Sequence, residues 1–138
     1  FLAKSELFKP PVFGSLIRSL GAIPLNRNAH DSAAVKTSMG IMKKGKILLV
    51  FPQGGRRKVL EQKDFRPGSL SMAHRVGVPV VPALIEGNYR LGSKMALRVG
   101  KAVSNDELNE ILSTAPDGEK NNVLSRLIYE RISGLAKR

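Results

Sequence analysis

Cysteine and tryptophan are absent from this 138-residue chain, and acidic residues are scarce. Without cysteine there is no disulfide, no thiolate metal site and no cysteine nucleophile. Aromatic residues make up 5% of the chain, too few for the stacking platform that nucleic-acid binders add to a basic surface. No run of about 18 apolar residues occurs, so no helix is long and apolar enough to cross a bilayer. Internal repeats and low-complexity tracts are missing too, which excludes solenoid architectures. The shortage of acids leaves a strong positive balance: 23 Lys and Arg oppose 11 Asp and Glu, a formal net charge of +12. A field of that sign attracts nucleic acid, anionic lipid head groups or phosphorylated small molecules. The cations are scattered rather than gathered in a stripe, which counts against nucleic acid.

A composition 42% hydrophobic and 25% charged is that of a globular chain with a core, and the length suits one domain. Strand and helix patterns alternate along it. The stretch "FLAK", Phe1 to Lys4, reads as the end of a strand, and Pro10-Pro11 opens a short helix over "VFGSLIRSLG". Strand "AIPLN" follows. Asp31 or Ser32 N-caps the next helix, on which Val35, Met39 and Met42 share a face, Lys43 and Lys44 suit the C-terminal end and Gly45 stops it. Strand "KILLVF" comes next, then a polar loop. "GSLSMAHRVG" reads as a helix closed by Gly77, "VPVVPALIEG" as a strand and "MALRVGKAV" as another. The remainder is helical, and Leu124, Leu127, Ile128, Ile132 and Leu135 fall on one face of the last helix, as expected for packing on a sheet. The fold class predicted is α/β, a single domain with a mixed central sheet flanked by helices.

One stretch departs from a generic domain. In "LLVFPQGGRR", Leu48 to Arg57, an apolar run that reads as a buried strand empties into two glycines and two arginines. Loops at the C-terminal ends of strands are where open α/β sheets bind ligands. Glycines let backbone N–H groups approach a bound group, and arginine forks match phosphate or carboxylate oxygens. An anion site is predicted there. "KKGK" lacks the Gly-x4-Gly-Lys-Ser/Thr spacing of a phosphate loop.

Four blocks, in order, make the chain similar to a known family: "FLAKSELF", "GAIPLNR" from Gly21, "FPQGGRR" from Phe51 and "VPVVPALIEG" from Val78. Between the last two, "DFRPGSLSMAHRVG" is similar to that family's Phe-x-x-Gly segment at Phe65 and Gly68. Together they resemble the glycerolipid acyltransferases, of the 1-acylglycerol-3-phosphate acyltransferase type, over Phe1 to about Gly100. The resemblance implies transfer of an acyl group from a thioester, on coenzyme A or acyl carrier protein, to a free hydroxyl of a lysophosphatidic-acid-like acceptor, with no further cofactor and no metal. A His would act as general base on that hydroxyl, with an Asp on the same helix orienting the imidazole.

By the same resemblance, Arg27 and Arg56 bind the acceptor phosphate with help from Lys4, and Gln53, Gly54 and Gly55 line the acceptor pocket. Pro79 and Pro82 shape the strand on the acyl side. Two departures stand out. The family's Phe-Pro-Glu-Gly-Thr-Arg has become Phe-Pro-Gln-Gly-Gly-Arg, so Gln53 carries no charge and Gly55 no hydroxyl. The family's His-x4-Asp pair is not in this sequence: Val35 lies five residues after His30, and Pro79 five after His74. His30 reads as a residue at a helix start and His74 as one near a helix C-terminus. No catalytic residue is assigned.

The expectation is therefore the C-terminal larger part of an acyltransferase domain, with the catalytic helix and any anchoring segment upstream of Phe1. It would act at the cytoplasmic face of a membrane, its basic surface facing anionic lipid. A catalytically inactive phospholipid- or phosphate-binding module is the alternative.

Overall fold

The computed structural model describes residues 1–26, 31–55, 59–87, 90 and 92–136. The α/β class predicted from the alternating patterns is what the chain adopts. Its residues gather into two compact units, Phe1–Phe51 and Pro52–Arg138.

The first unit opens with β1 (Leu2–Lys4), a 3₁₀ turn (Ser5–Phe8) and α1 (Pro11–Ser19), then β2 (Ile23–Leu25) and α2 (Ser32–Lys43). Strands β1 and β2 are parallel, with Leu2 opposite Ile23, Ala3 opposite Pro24 and Lys4 opposite Leu25. A parallel pair needs a crossover, and α1 is that crossover. Its first turn accepts Pro11 at no cost because the N–H there has no partner in any helix. Gly14 makes the crossover tight: a Cβ at this position would stand 2.5 Å from the Phe8 carbonyl oxygen. Phe8, Ile17 and Ala22 form the small core under the helix, with Phe1 and Ala3 against them.

Helix α2 ends as the glycine signal predicts, with Gly45 at φ +70°. Its buried face differs from the predicted one. Ala34, Ser38 and Met42 face inward, while Val35 is 38% exposed. Counting large apolar residues favoured Val35 and Met39, whereas a helix lying close to its neighbours places small side chains at the contact. The predicted strand "KILLVF" is also absent among the described residues: Leu49 accepts one hydrogen bond from Leu2 N–H at 3.3 Å, and Ile47 is 96% exposed. One bond to β1 does not make a ladder.

The second unit contains a 3₁₀ turn (Gln62–Asp64), α3 (Gly68–Val76), β3 (Ala83–Gly87), β4 (Met95–Val99), α4 (Asn105–Ser113) and α5 (Lys120–Ser133). Gly77 closes α3 at φ +80°, as predicted. Strands β3 and β4 are antiparallel, Ala83 opposite Val99 and Gly87 opposite Met95. The predicted strand over "VPVVPALIEG" begins only at Ala83, because Pro79 and Pro82 have no N–H to donate. Between them Val80 makes an isolated antiparallel bridge to Val103. The single mixed sheet of the prediction is thus two separate strand pairs among the described residues. The runs that would extend either pair, 46–51 and 78–82, make only scattered bonds.

The core of this unit joins Phe65, Leu70, Leu84, Val103, Leu108, Leu124, Leu127, Ile128 and Ile132. The predicted face of the last helix supplies four of these, and Leu135 packs against them. Phe65, from the Phe-x-x-Gly segment, meets the Tyr129 ring edge-on at 5.6 Å and is a core residue. Ser104 caps α4 by accepting from Glu107 N–H at 3.1 Å, and the Glu107 carboxylate pairs with Arg131 of α5.

Two substitutions test these contacts by thermal or denaturant unfolding. Gly14→Ala, forced against the Phe8 carbonyl, is expected to cost about 1–3 kcal/mol. Leu108→Ala, emptying a site that is 0% exposed, is expected to cost about 2–5 kcal/mol. Unchanged stability in Gly14→Ala would show that the crossover is not packed at its limit.

Candidate functional site

Of the residues predicted for an anion site, the described ones fall at the end of one strand and in one turn. Lys4 ends β1 and is exposed, its register partner Leu25 ending β2. The parallel pairing thus brings the Lys4 backbone beside the chain that runs on through Asn26 to Arg27. Arg27 and His30 lie outside the described residues, as does Arg56. Gln53, Gly54 and Gly55 follow Pro52 in one turn of the second unit, and the Pro52 carbonyl accepts from Arg66 N–H at 3.1 Å.

Asp31 ties down both ends of the segment that follows β2. One carboxylate oxygen accepts from Asn26 N–H at 2.9 Å, and the other accepts from Ala34 N–H, also at 2.9 Å. The second bond is the helix N-cap read from the sequence. The first was missed, because a capping signature says nothing of a donor five residues upstream. Hydrogen bonds from the backbone N–H groups of Asn26, Ala34 and Ala33 hold the Asp31 carboxyl below the usual carboxylate range.

The turn at Gln53 separates its two glycines by role. Gly54 has φ +65°, a conformation that L side chains rarely adopt. Gly55 is not in that region, and a Cβ there would meet nothing within 4 Å. The Gln53 side-chain nitrogen is enclosed and has no hydrogen-bond partner among the described residues. An enclosed N–H group without an acceptor is unfavourable by about 1–3 kcal/mol, a cost that an oxygen-bearing ligand reaching the group would offset.

Elsewhere in the second unit, His74 Nε2 lies 2.8 Å from Asn109 Oδ1, so this His is bonded to α4 in addition to lying near the α3 C-terminus. Gln62, Lys63, Phe65, Asn122 and Ser125 line an open hollow of about 410 Å³ that gathers no cluster of cations. Among the described residues no group of His, Asp or Glu is placed to hold a metal ion.

A sequence model of the Acyltransferase family matches residues 1–86. The chain belongs to the Acyltransferase family. All six residues predicted for the acceptor side, from Lys4 to Arg56, lie within the matched span of this acyltransferase chain. It is similar to the 1-acyl-sn-glycerol-3-phosphate acyltransferase of Bacillus subtilis, at 26% identity over 98% of this chain and 67% of that protein. The enzyme of that name from Streptococcus pneumoniae is 33% identical over 66% of this chain and 33% of its own length. Among solved structures, the 1-acyl-sn-glycerophosphate acyltransferase PlsC from Thermotoga maritima superimposes with a TM-score of 0.62 at 26% identity. That match covers all of this chain and 57% of the PlsC chain. The acyltransferase chain described here thus spans between a third and two thirds of these relatives.

The Asp31 clamp has a pH signature. A carboxyl whose pKa is depressed by folding stabilises the fold above its unfolded value, near 3.9, and that contribution is lost as pH falls through the folded value. Asp31→Asn is expected to lower Tm by a few degrees near neutral pH and to reduce the further loss below about pH 4. Asp31→Ala, which removes both acceptors, should lower Tm further. Thermal unfolding followed between about pH 7 and pH 3 checks this, and an Asp31→Asn chain that tracks the parent throughout would remove the carboxylate from the clamp.

Proposed function

We propose that this chain supplies the acceptor side of an enzyme that moves an acyl group from a thioester, on coenzyme A or acyl carrier protein, to the free hydroxyl of a lysophosphatidic-acid-like acceptor. The observation that carries this reading is the family match over residues 1–86, which contains the whole set Lys4, Arg27, Gln53, Gly54, Gly55 and Arg56. In this proposal Arg27 and Arg56 bind the acceptor phosphate as charge-assisted forks, and Lys4 adds a point charge. Holding the phosphate fixes where the hydroxyl stands, which turns a bimolecular attack on the thioester into an oriented one. The unpartnered Gln53 nitrogen supports a polar ligand at the turn.

The acyl-transfer step needs a base to take the hydroxyl proton as the oxygen attacks the thioester carbonyl, and a tetrahedral oxyanion then expels the thiolate. Neither His30 nor His74 has an Asp five residues on, so the base is assigned to none of these 138 residues. The second reading is a phospholipid- or phosphate-binding module without turnover, which would need the same cations and no base. The net charge of +12 supports work at an anionic membrane surface in either case.

Turnover separates the two readings. The gene product that contains this sequence, given lysophosphatidic acid and either acyl thioester, is expected to form the diacyl product; binding without turnover would leave the module. In the same protein, Arg27→Ala and Arg56→Ala are each expected to weaken acceptor affinity roughly ten- to a hundred-fold, the loss of a hydrogen bond to a charged group. Lys4→Ala should do less. Unchanged acceptor affinity in Arg56→Ala would reject the phosphate role. Gln53→Glu restores the family's carboxylate, and a changed preference among acceptor head groups would identify Gln53 as a specificity determinant.

A further inference from the structure

Helix α1 has an apolar arc of which only part meets the core of its unit. Gly14 and Ile17 are buried, against Phe8 and Ala22. At 3.6 residues per turn, Val12, Leu16, Leu20 and Phe13 occupy the neighbouring arc of about 100°. Val12 is 84% exposed, Leu20 65%, Leu16 54% and Phe13 46%, and Leu7 of the preceding turn is 45% exposed. Single exposed apolar side chains are ordinary on any protein, but a continuous stripe of this kind marks a surface that meets something apolar.

The charge around the stripe says what that is. No acid occurs between Lys9 and Asn26, and residues 1–51 hold eight Lys and Arg against two acids, Glu6 and Asp31. Lys9 stands at the entry to α1, and the Arg18 guanidinium lies on its polar side, 5.3 Å from the centre of the Phe8 ring. A hydrogen bond from its own backbone N–H, helped by Lys4 and Lys9 on either side in the sequence, holds the Glu6 carboxyl below the usual range. A second copy of the same basic unit would be repelled, whereas an apolar stripe on a unit with this excess of cations matches the boundary between head groups and acyl chains of an anionic bilayer.

We propose that the outer face of α1, formed by Val12, Phe13, Leu16 and Leu20 with Leu7 beside it, is the surface by which this chain seats itself on an anionic lipid bilayer. The helix lies in the plane of the interface, its apolar side chains entering the acyl boundary while Lys9, at its entry, stays at the level of the lipid phosphates and Arg18 faces away from the bilayer. This deepens the membrane setting proposed above and is independent of the acceptor site.

The test uses the full chain and vesicles of phosphatidylglycerol, with phosphatidylcholine vesicles as the neutral control and no lysophospholipid in either. Sedimentation with the anionic vesicles is expected at low salt and should weaken as salt rises. Val12→Asp/Leu16→Asp, at two exposed positions, should reduce the partition coefficient on the order of ten-fold or more while Tm and binding of a soluble short-chain lysophosphatidic acid stay unchanged. Because the chain has no tryptophan, Val12→Trp supplies a clean reporter, whose emission should shift to the blue and be quenched by brominated lipid. Vesicle binding retained by the double variant, or an unshifted Val12→Trp spectrum on bound protein, would overturn the proposal. A dimer in sedimentation equilibrium that the double variant dissociates would also overturn it, assigning the stripe to a second copy. Loss of short-chain acceptor binding in Arg27→Ala with vesicle binding intact would support the separation of the two surfaces.

Discussion

The contact between Gly14 and the Phe8 carbonyl is the constraint on which the first unit depends. A parallel strand pair cannot be joined by a tight turn, so the chain must leave β1, climb and return, and the space available to α1 decides how closely the strands pair. Because Gly14 has no Cβ, the helix comes down onto the turn before it, and Ile17 and Ala22 close the small core with Phe8. The consequence reaches the strand ends. With the register held, Lys4 and Leu25 stand opposite one another, and the chain beyond Leu25 leaves beside a cation.

A carboxylate close to the arginine proposed to bind phosphate would oppose the ligand, and Asp31 lies only four residues after Arg27 in the sequence. Its two oxygens are both engaged by backbone N–H groups, one before the segment and one in the first turn of α2. Those hydrogen bonds spread its negative charge onto the backbone dipoles at the helix start, the end where a carboxylate is favoured. The acid therefore links Asn26, just after β2, to the first turn of α2, with its charge met by the N–H dipoles at both points. This link and the crossover act on the two sides of one segment, and both are backbone devices built from a single residue each.

How much of this was legible in the sequence depends on whether the controlling force is local. The Asp31 cap, the Gly45 and Gly77 stops and Pro11 in the first turn of α1 are governed by a few adjacent residues, and all stand where the sequence placed them. The run over 46–51 looked like a buried strand because apolar content implies burial, yet pairing is decided by partners elsewhere in the chain, and it makes one bond to β1. On α2 the same preference for large apolar residues pointed to Val35, while close packing selected Ala34 and Ser38. Gln53 to Gly55 fall in one turn and Lys4 ends a strand, whereas the acceptor role proposed for them rests on motif resemblance. Motif spacing carries no information on the enclosed Gln53 nitrogen or on the bond from Asn26, which arise from packing across elements.

The two departures in the turn at Gln53 can be weighed against its backbone. Gly54 occupies a positive-φ position, so glycine there follows from conformation. Gly55 does not, and a side chain would find open space. The change from threonine removes a hydroxyl, and no described atom stands close enough to a Cβ at Gly55 to require its loss. Gln53 in place of a carboxylate keeps the shape and removes a negative charge. The turn runs from Gln53 into Arg56, Arg57 and Lys58 with no acid before Glu61. An amide in place of a carboxylate at its start makes the net charge of that stretch more positive by one and puts a donor where the family has an acceptor. The two changes differ in kind: the one at Gln53 removes a negative charge, and the one at Gly55 removes a hydrogen-bonding hydroxyl without changing the charge.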